Sequence, residues 1–97
     1  MSNPTRPAVI VITSLVARGG VGLRAAAFAL ERLGFPVWQV PTVFLPWHTG
    51  HGRSTRIEPP AEQFAAALGE LAASRHLGEV GAIISGYLGE ASQAGPI

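Results

Sequence analysis

An uninterrupted run of apolar, mostly β-branched residues near the start of the chain constrains the fold more than any other feature. The run extends from Ala8 to Thr13 and lies between Pro7 and Ser14. A strand with one solvated face alternates apolar and polar residues, and this run does not alternate. It therefore predicts a strand that is buried on both faces, as in a parallel sheet covered by helices.

Helical and strand-forming segments alternate along the rest of the chain. In order, they are a helix over Val21–Leu33, a strand over Phe35–Val40, a helix from about Ala61 to Arg75 and a strand over Val80–Ser85. Gly34 stands where a helix commonly ends. The order β-α-β-α-β predicts an α/β fold of three layers, with parallel strands as in Rossmann-like proteins.

Each predicted helix carries an apolar stripe that we expect to face the sheet. The stripe of the first helix consists of Val21, Ala25, Phe28, Ala29 and Leu33. The stripe of the second helix consists of Phe64, Leu68 and Leu71.

A long segment, Pro41–Gly52, follows the second strand and mixes Pro, Gly, His, Thr and Trp. Connections of this length are uncommon in compact domains and are usually functional or disordered. Ligands bind parallel sheets beyond the carboxyl ends of the strands, so this segment should meet Ser14–Gly20 and Gly86–Tyr87 at one edge. The candidate ligand contacts there are Ser14, His48, Thr49 and Tyr87, and the candidate lining residues are Val21, Leu45, Trp47 and Gly86. For Trp47, a contact with another subunit is an open alternative.

Composition argues against several classes of function. The 97 residues include no Cys, no Lys and no Asp. A Walker-type phosphate loop and a Schiff base each need Lys, and a thiolate metal site needs Cys. The three histidines, His48, His51 and His76, lack Cys or Asp partners that would complete a zinc site, so we predict no metal site. A net charge of +1 without a basic cluster gives no indication of nucleic-acid binding, and no apolar run approaches the ~18 residues that span a membrane.

Two apparent motifs fail in context. Gly20–Ala25 matches the dinucleotide-binding pattern G-x-G-x-x-A, but Gly20 lies seven residues beyond Thr13 and no acidic residue ends the second strand. We interpret these glycines as permitting a turn and close helix packing. Ser14 lacks the G-x-S-x-G context of a nucleophile, and we interpret it as a hydroxyl that contacts a ligand.

The ordered set of segments resembles the N-terminal part of the pyridoxal kinases, in the ribokinase-like superfamily. The segments that carry the resemblance are Ile12–Ser14, Val16–Gly19, Val21–Gly22, Arg24–Ala26, Leu33–Trp38, Thr42–Val43, His48–Gly50 with Gly52, and Ser85–Gly89. The chain departs from residues common in that family at Leu15, Leu23, Pro41 and Pro46–Trp47.

The resemblance implies a cytoplasmic, homodimeric enzyme that uses ATP and Mg²⁺ to phosphorylate the 5′-hydroxymethyl group of pyridoxal or a related B6 vitamer. It implies that Ser14 hydrogen-bonds the pyridine ring, that Thr49 contacts the substrate, that Tyr87 shapes the site and that His48 supports the same loop. Family members are longer, and their ATP site and catalytic aspartate lie in the part that this chain lacks.

We therefore expect residues 1–97 to form the N-terminal part of a single kinase domain, with no site for ATP or Mg²⁺ and no activity alone. Two alternatives remain open. One is a non-catalytic module that binds small molecules or takes part in assembly. The other is a related kinase that acts on a sugar or a hydroxymethylpyrimidine.

Overall fold

The structure is a computed structural model that describes residues 6–47, 54–88 and 95. Its elements are β1 (Ala8–Arg18), α1 (Gly22–Arg32), β2 (Val37–Trp47), α2 (Ala61–Ala72) and β3 (Val80–Ser85), with a short 3-10 helix, Leu77–Glu79, before β3. The predicted order of strands and helices is confirmed. Within the described ranges, neither helix has the length and apolar character needed to cross a membrane.

The three strands form one sheet in the order β2-β1-β3, with both pairs parallel. The central strand is buried on both faces, as predicted for Ala8–Thr13. Ile10 and Ile12 pack against Phe64 of α2, whereas Val9 and Val11 pack against Leu23 of α1. Successive residues of a strand point to opposite faces, so the two helices cover opposite sides of the sheet. The three-layer α/β architecture is thus confirmed.

The first two strands run further than the sequence predicts. β1 continues from Thr13 to Arg18, and β2 begins at Val37 and continues to Trp47. The expectation that Pro41–Gly52 leaves the sheet as a loop was therefore wrong for residues 41–47. Because β2 lies at one edge of the described sheet, its prolines do not interrupt a central ladder. Val16, Val43 and Leu45 also form a buried cluster that supports the extension.

The first helix packs on a different face from the one predicted. Its contacts with the sheet are made by Leu23, Ala26, Ala27 and Leu30. Phe28 and Leu33, which belong to the predicted stripe, are 56% and 63% exposed. Alanine is compatible with a buried or an exposed face, and four alanines lie within Gly22–Arg32. The sequence therefore allows two apolar stripes on this helix, one that starts at Val21 and one that starts at Leu23. The helix ends at Arg32, and Gly34 follows it with a positive φ, as predicted.

The second helix packs as predicted. Phe64 is buried, and Leu68 and Leu71 pack beside it against the sheet. The helix ends at Ala72 rather than near Arg75, and the chain then turns through the 3-10 helix into β3. The end of β3, and the residues after it, therefore lie beside the middle of β1.

Candidate functional site

A pocket of about 270 Å³ lies where β3 ends while β1 and β2 continue. It is lined by Thr13, Ser14, Val16, Val21, Gly22, Leu45 and Tyr87. Four of these residues, Ser14, Val21, Leu45 and Tyr87, are among the candidates predicted from the sequence. The structure thus gathers residues from β1, from the start of α1, from β2 and from the segment after β3.

The strand register changes at the pocket. Thr13 of β1 pairs with Pro41 of β2, whereas Leu15 pairs with Phe44, so β2 carries one residue more than β1 over this stretch. An extra residue of this kind is a β-bulge, which bends the strand and changes the direction of nearby side chains. Ser14 lies between the two paired positions. The bulge in β2 therefore lies opposite Ser14, the residue that the sequence predicts to contact a ligand.

Two buried threonines hold the segment that follows β3. The Thr42 hydroxyl donates a hydrogen bond of 2.8 Å to the Tyr87 carbonyl oxygen, and the Tyr87 N–H donates one of 3.1 Å to Thr13 Oγ1. The Gly86 N–H donates to the Ile12 carbonyl oxygen at 2.8 Å, which extends the β1–β3 ladder. The backbone of Tyr87 is therefore hydrogen-bonded to side chains of both β1 and β2.

This role of Thr13 and Thr42 was not predicted from the sequence. Thr42 is 0% exposed and Thr13 is 7% exposed. Hydroxyl side chains inside apolar runs need hydrogen-bond partners, which is the signal that could have identified them. Their partner is 45 residues from Thr42 and 74 residues from Thr13, so the pairing itself is not visible in the sequence.

Thr42→Val tests this attachment. We expect the free energy of unfolding to fall by about 1–3 kcal/mol, because the Tyr87 carbonyl oxygen loses a buried donor while side-chain volume is kept. Urea denaturation measures the change. Thr55→Val, at an exposed position, is the matched control and should change the free energy by less than about 0.5 kcal/mol. Equal effects of the two substitutions would contradict the assigned role of Thr42.

Gly22 begins α1 directly against Ser14. Its φ is +60°, and a β-carbon built there would lie 2.7 Å from Ser14 Oγ and would collide with the Ser14 carbonyl oxygen. The interpretation that a glycine here permits a turn and close helix packing is therefore confirmed. The N-cap residue Val21 makes no side-chain hydrogen bond to the helix, and no acidic residue occupies the first turn.

Two further candidates, Gly86 and Trp47, are described by the structure but are not among the residues that line the pocket. Gly86 packs its backbone against Thr13, and a β-carbon at Gly86 would lie 2.7 Å from Thr13 Oγ1. Trp47 is the last residue of β2, where it pairs with Arg18, and is not among the residues that line the pocket. His48 and Thr49 lie outside the described residues, so their roles stay predictions.

Arg56 is a neighbour of the pocket that the sequence analysis missed. Its guanidinium donates a hydrogen bond of 3.2 Å to the Tyr87 hydroxyl and forms an ion pair of 2.7 Å with Glu58. Two hydrogen bonds raise the pKa of Arg56 above its ordinary value. The one to the Glu58 carboxylate has the larger effect, and the one to the Tyr87 hydroxyl has the smaller. Arg56 therefore stays charged throughout the physiological pH range.

The lining is neutral and mixed in character. Thr13, Ser14 and Tyr87 contribute hydroxyl groups, while Val16, Val21 and Leu45 contribute apolar surface. Pockets that bind small organic molecules combine apolar walls with a few polar groups in this way. Mg²⁺ prefers carboxylate and other oxygen ligands in octahedral geometry. The residues that line this pocket include no carboxylate, so they do not fit a magnesium ion.

The chain is similar in sequence and in structure to known proteins. No established family profile matches the sequence. The chain is 40% identical over 90 residues to pyridoxal kinase PdxY from Pseudomonas paraeruginosa. The matched residues make up 93% of this chain and 31% of that protein.

Two solved structures illustrate the structural similarity. Pyridoxal kinase from Leishmania donovani, in complex with ADP and pyridoxamine, matches with a TM-score of 0.75 and 32% identity over 82% of this chain and 28% of its own. A structure from Bacteroides thetaiotaomicron, assigned as a phosphomethylpyrimidine kinase and crystallised with pyridoxal, matches with a TM-score of 0.66 and 26% identity, over 90% of this chain and 30% of its own.

The chain thus spans about 31% of the length of the curated relative to which it was compared. Within that span, the predicted resemblance to pyridoxal kinases is confirmed by both sequence and structure. The predicted fold class is confirmed as well, since the three parallel strands and their helices match part of the ribokinase-like fold of these enzymes.

Proposed function

We propose that this chain supplies the vitamer-binding side of a pyridoxal kinase, which transfers phosphate from ATP to the 5′-hydroxymethyl group of pyridoxal. One observation carries the proposal: the pocket at the end of β3 is built from Ser14, Val21, Leu45 and Tyr87 in a chain that is 40% identical to a pyridoxal kinase. The similarity supports the reaction class, and the pocket supports the position that we propose for the substrate.

The chemistry of the pocket suits the pyridine ring of a B6 vitamer. Val21 and Leu45 provide apolar walls for a flat ring, and the Ser14 hydroxyl is available to hydrogen-bond a ring substituent or the ring nitrogen. Tyr87 closes one side of the pocket. We extend the proposal to Thr49, as a second contact with the substrate, and to His48, as the support of its loop.

The nucleotide belongs elsewhere in this proposal. The Leishmania donovani relative was solved with ADP, which supports the use of ATP by this family. The pocket lining offers no carboxylate for Mg²⁺ and the chain contains no Asp, so we place the nucleotide, the metal and the catalytic base outside residues 1–97. We further propose that residues 1–97 form the N-terminal part of one kinase domain and that the whole enzyme is a cytoplasmic homodimer.

Calorimetric titration of pyridoxal into the 97-residue chain tests the proposal. We expect saturable binding that Ser14→Ala weakens by about 2- to 10-fold, which corresponds to one hydrogen bond of about 0.5–1.5 kcal/mol. Ser85→Ala, at the end of β3 and outside the lining, is the control and should leave the affinity unchanged. Equal affinities for the wild type and Ser14→Ala would remove Ser14 from the site, and no binding at all would contradict the proposal.

A second candidate substrate is a hydroxymethylpyrimidine. The similarity to the phosphomethylpyrimidine kinase structure from Bacteroides thetaiotaomicron favours it, because the two rings are both flat nitrogen heterocycles that carry a hydroxymethyl group. Competition in the same titration separates the two. A hydroxymethylpyrimidine that binds more tightly than pyridoxal would transfer the assignment to this second substrate.

A further inference from the structure

The segment after β2 returns to the sheet and brings a charged pair to the pocket. Phe44 of β2 and Ile57 form an antiparallel bridge, in which each N–H donates to the other carbonyl oxygen at 2.9 and 3.0 Å. Arg56 and Glu58 flank Ile57. Residues two apart in an extended segment point to the same side, so the bridge presents both charged side chains together.

Arg56 contacts Tyr87 in two ways. Nη1 donates a hydrogen bond of 3.2 Å to the Tyr87 hydroxyl, and the guanidinium carbon lies 5.9 Å from the centroid of the ring. A guanidinium at this distance is attracted by the negative face of an aromatic ring. The contact with the hydroxyl holds the tip of the Tyr87 side chain, while the contact with the ring restricts the rotation of that ring.

Glu58 holds Arg56 in this position. Nε and Nη2 both donate to Glu58 Oε1, at 3.0 and 2.7 Å. A guanidinium that is fixed at two nitrogens has few other orientations available, so less entropy is lost when it also contacts the tyrosine. The ion pair also neutralises the charge of Arg56. The arrangement therefore suits the support of a side chain better than the binding of an anion.

Tyr87 needs such support because its backbone and its ring are held differently. Thr13 and Thr42 fasten the backbone, but the residue as a whole is 53% exposed. An exposed aromatic side chain would otherwise change rotamer on the picosecond-to-nanosecond timescale. A change of rotamer would alter the surface that Tyr87, as a lining residue, contributes to the pocket.

We propose that Arg56, held by Glu58, is a positioning residue that keeps the Tyr87 ring in place as a wall of the pocket. The identity of the ligand that meets this wall rests on the proposed function, whereas the position of the ring does not. Arg56 acts through Tyr87 in this scheme and makes no contact with the substrate.

The first experiment follows the tyrosine directly. Tyr87 is the only tyrosine in the 97 residues, so ring-labelled tyrosine gives a single set of NMR signals without further assignment. We expect Arg56→Ala to shift these signals, and Arg56→Lys and Glu58→Gln to shift them less. Arg75→Ala, which removes an exposed arginine three residues beyond the end of α2, should leave them unchanged. Identical tyrosine signals in the wild type and in Arg56→Ala would overturn the proposal.

The second experiment asks whether the position of the ring matters for binding. We expect Arg56→Ala to weaken pyridoxal binding by about 3- to 10-fold. In a Tyr87→Ala background the same substitution should have no further effect, because the wall that it positions is gone. An equal loss in both backgrounds would show a direct contact between Arg56 and the ligand and would overturn the positioning role. If the wild type binds no pyridoxal, the proposed function fails, and the tyrosine signals still decide the role of Arg56.

Discussion

Replacing Phe64 by alanine is expected to lower the free energy of unfolding by about 3–5 kcal/mol, which is the largest loss of stability that we predict. Phe64 is 4% exposed and packs against Ile10, Ile12 and Val40. Removing its ring loses the burial of apolar surface and leaves a cavity between α2 and the sheet. Since small domains are stable by about 5–15 kcal/mol, this is a large share of the total. Urea denaturation followed by circular dichroism measures the change.

Phe28→Ala is the matched control for this substitution. It removes the same ring from α1, where the side chain is 56% exposed and lies 5.8 Å from the Arg32 guanidinium. We expect a loss below about 1 kcal/mol. The pair also tests the orientation of α1, because the apolar stripe predicted from the sequence placed Phe28 against the sheet. Similar losses for Phe28→Ala and Phe64→Ala would support that stripe and contradict the structure.

The second large effect is expected at Gly22. Gly22→Ala should lower the free energy of unfolding by at least about 1–2 kcal/mol, because an L-residue is strained at a φ of +60°. The added β-carbon would also collide with the Ser14 carbonyl oxygen and crowd Ser14 Oγ, so β1 and α1 must separate. Since Ser14 and Gly22 both line the pocket, we expect pyridoxal binding to weaken by more than about 10-fold.

Gly20→Ala provides the comparison for Gly22→Ala. A β-carbon at Gly20 has no other atom within 4 Å, and Gly20 has no positive φ. We expect neither the free energy of unfolding nor the affinity for pyridoxal to change measurably. Denaturation and calorimetry on the two variants give both quantities. A Gly22→Ala variant with wild-type stability would contradict the close approach of α1 to Ser14.

The parts of the fold that the sequence predicts correctly depend on local composition and periodicity. The unbroken apolar run at Ala8–Thr13 predicts a buried central strand because only helices on both sides can cover it. The stripe of α2 is unambiguous, since Phe64, Leu68 and Leu71 are its large apolar residues. The stripe of α1 is ambiguous because alanines occupy four of its positions, and the prediction chose the wrong face.

The ends of β1 and β2 could not be predicted, because prolines within Pro41–Gly52 indicate a loop when the position of the strand in the sheet is unknown. Once β2 is known to be an edge strand, Pro41 and Pro46 are compatible with it. The bulge between Thr13 and Leu15 is likewise a property of the pair of strands. Neither strand encodes it alone.

Local sequence patterns predict the order of elements, the buried central strand and the grouping of Ser14, Val21, Leu45 and Tyr87 at one edge of the sheet. They can do so because parallel strands end at a common edge, so polar residues at their carboxyl ends must be neighbours. The contacts that hold Tyr87 become visible only in the folded chain, since Thr42 is 45 positions away from it and Arg56 is 31 positions away. Hydrogen bonds between such distant segments depend on the strand register and on the path of the segment that pairs with β2 at Ile57. Neither can be predicted from a local sequence pattern.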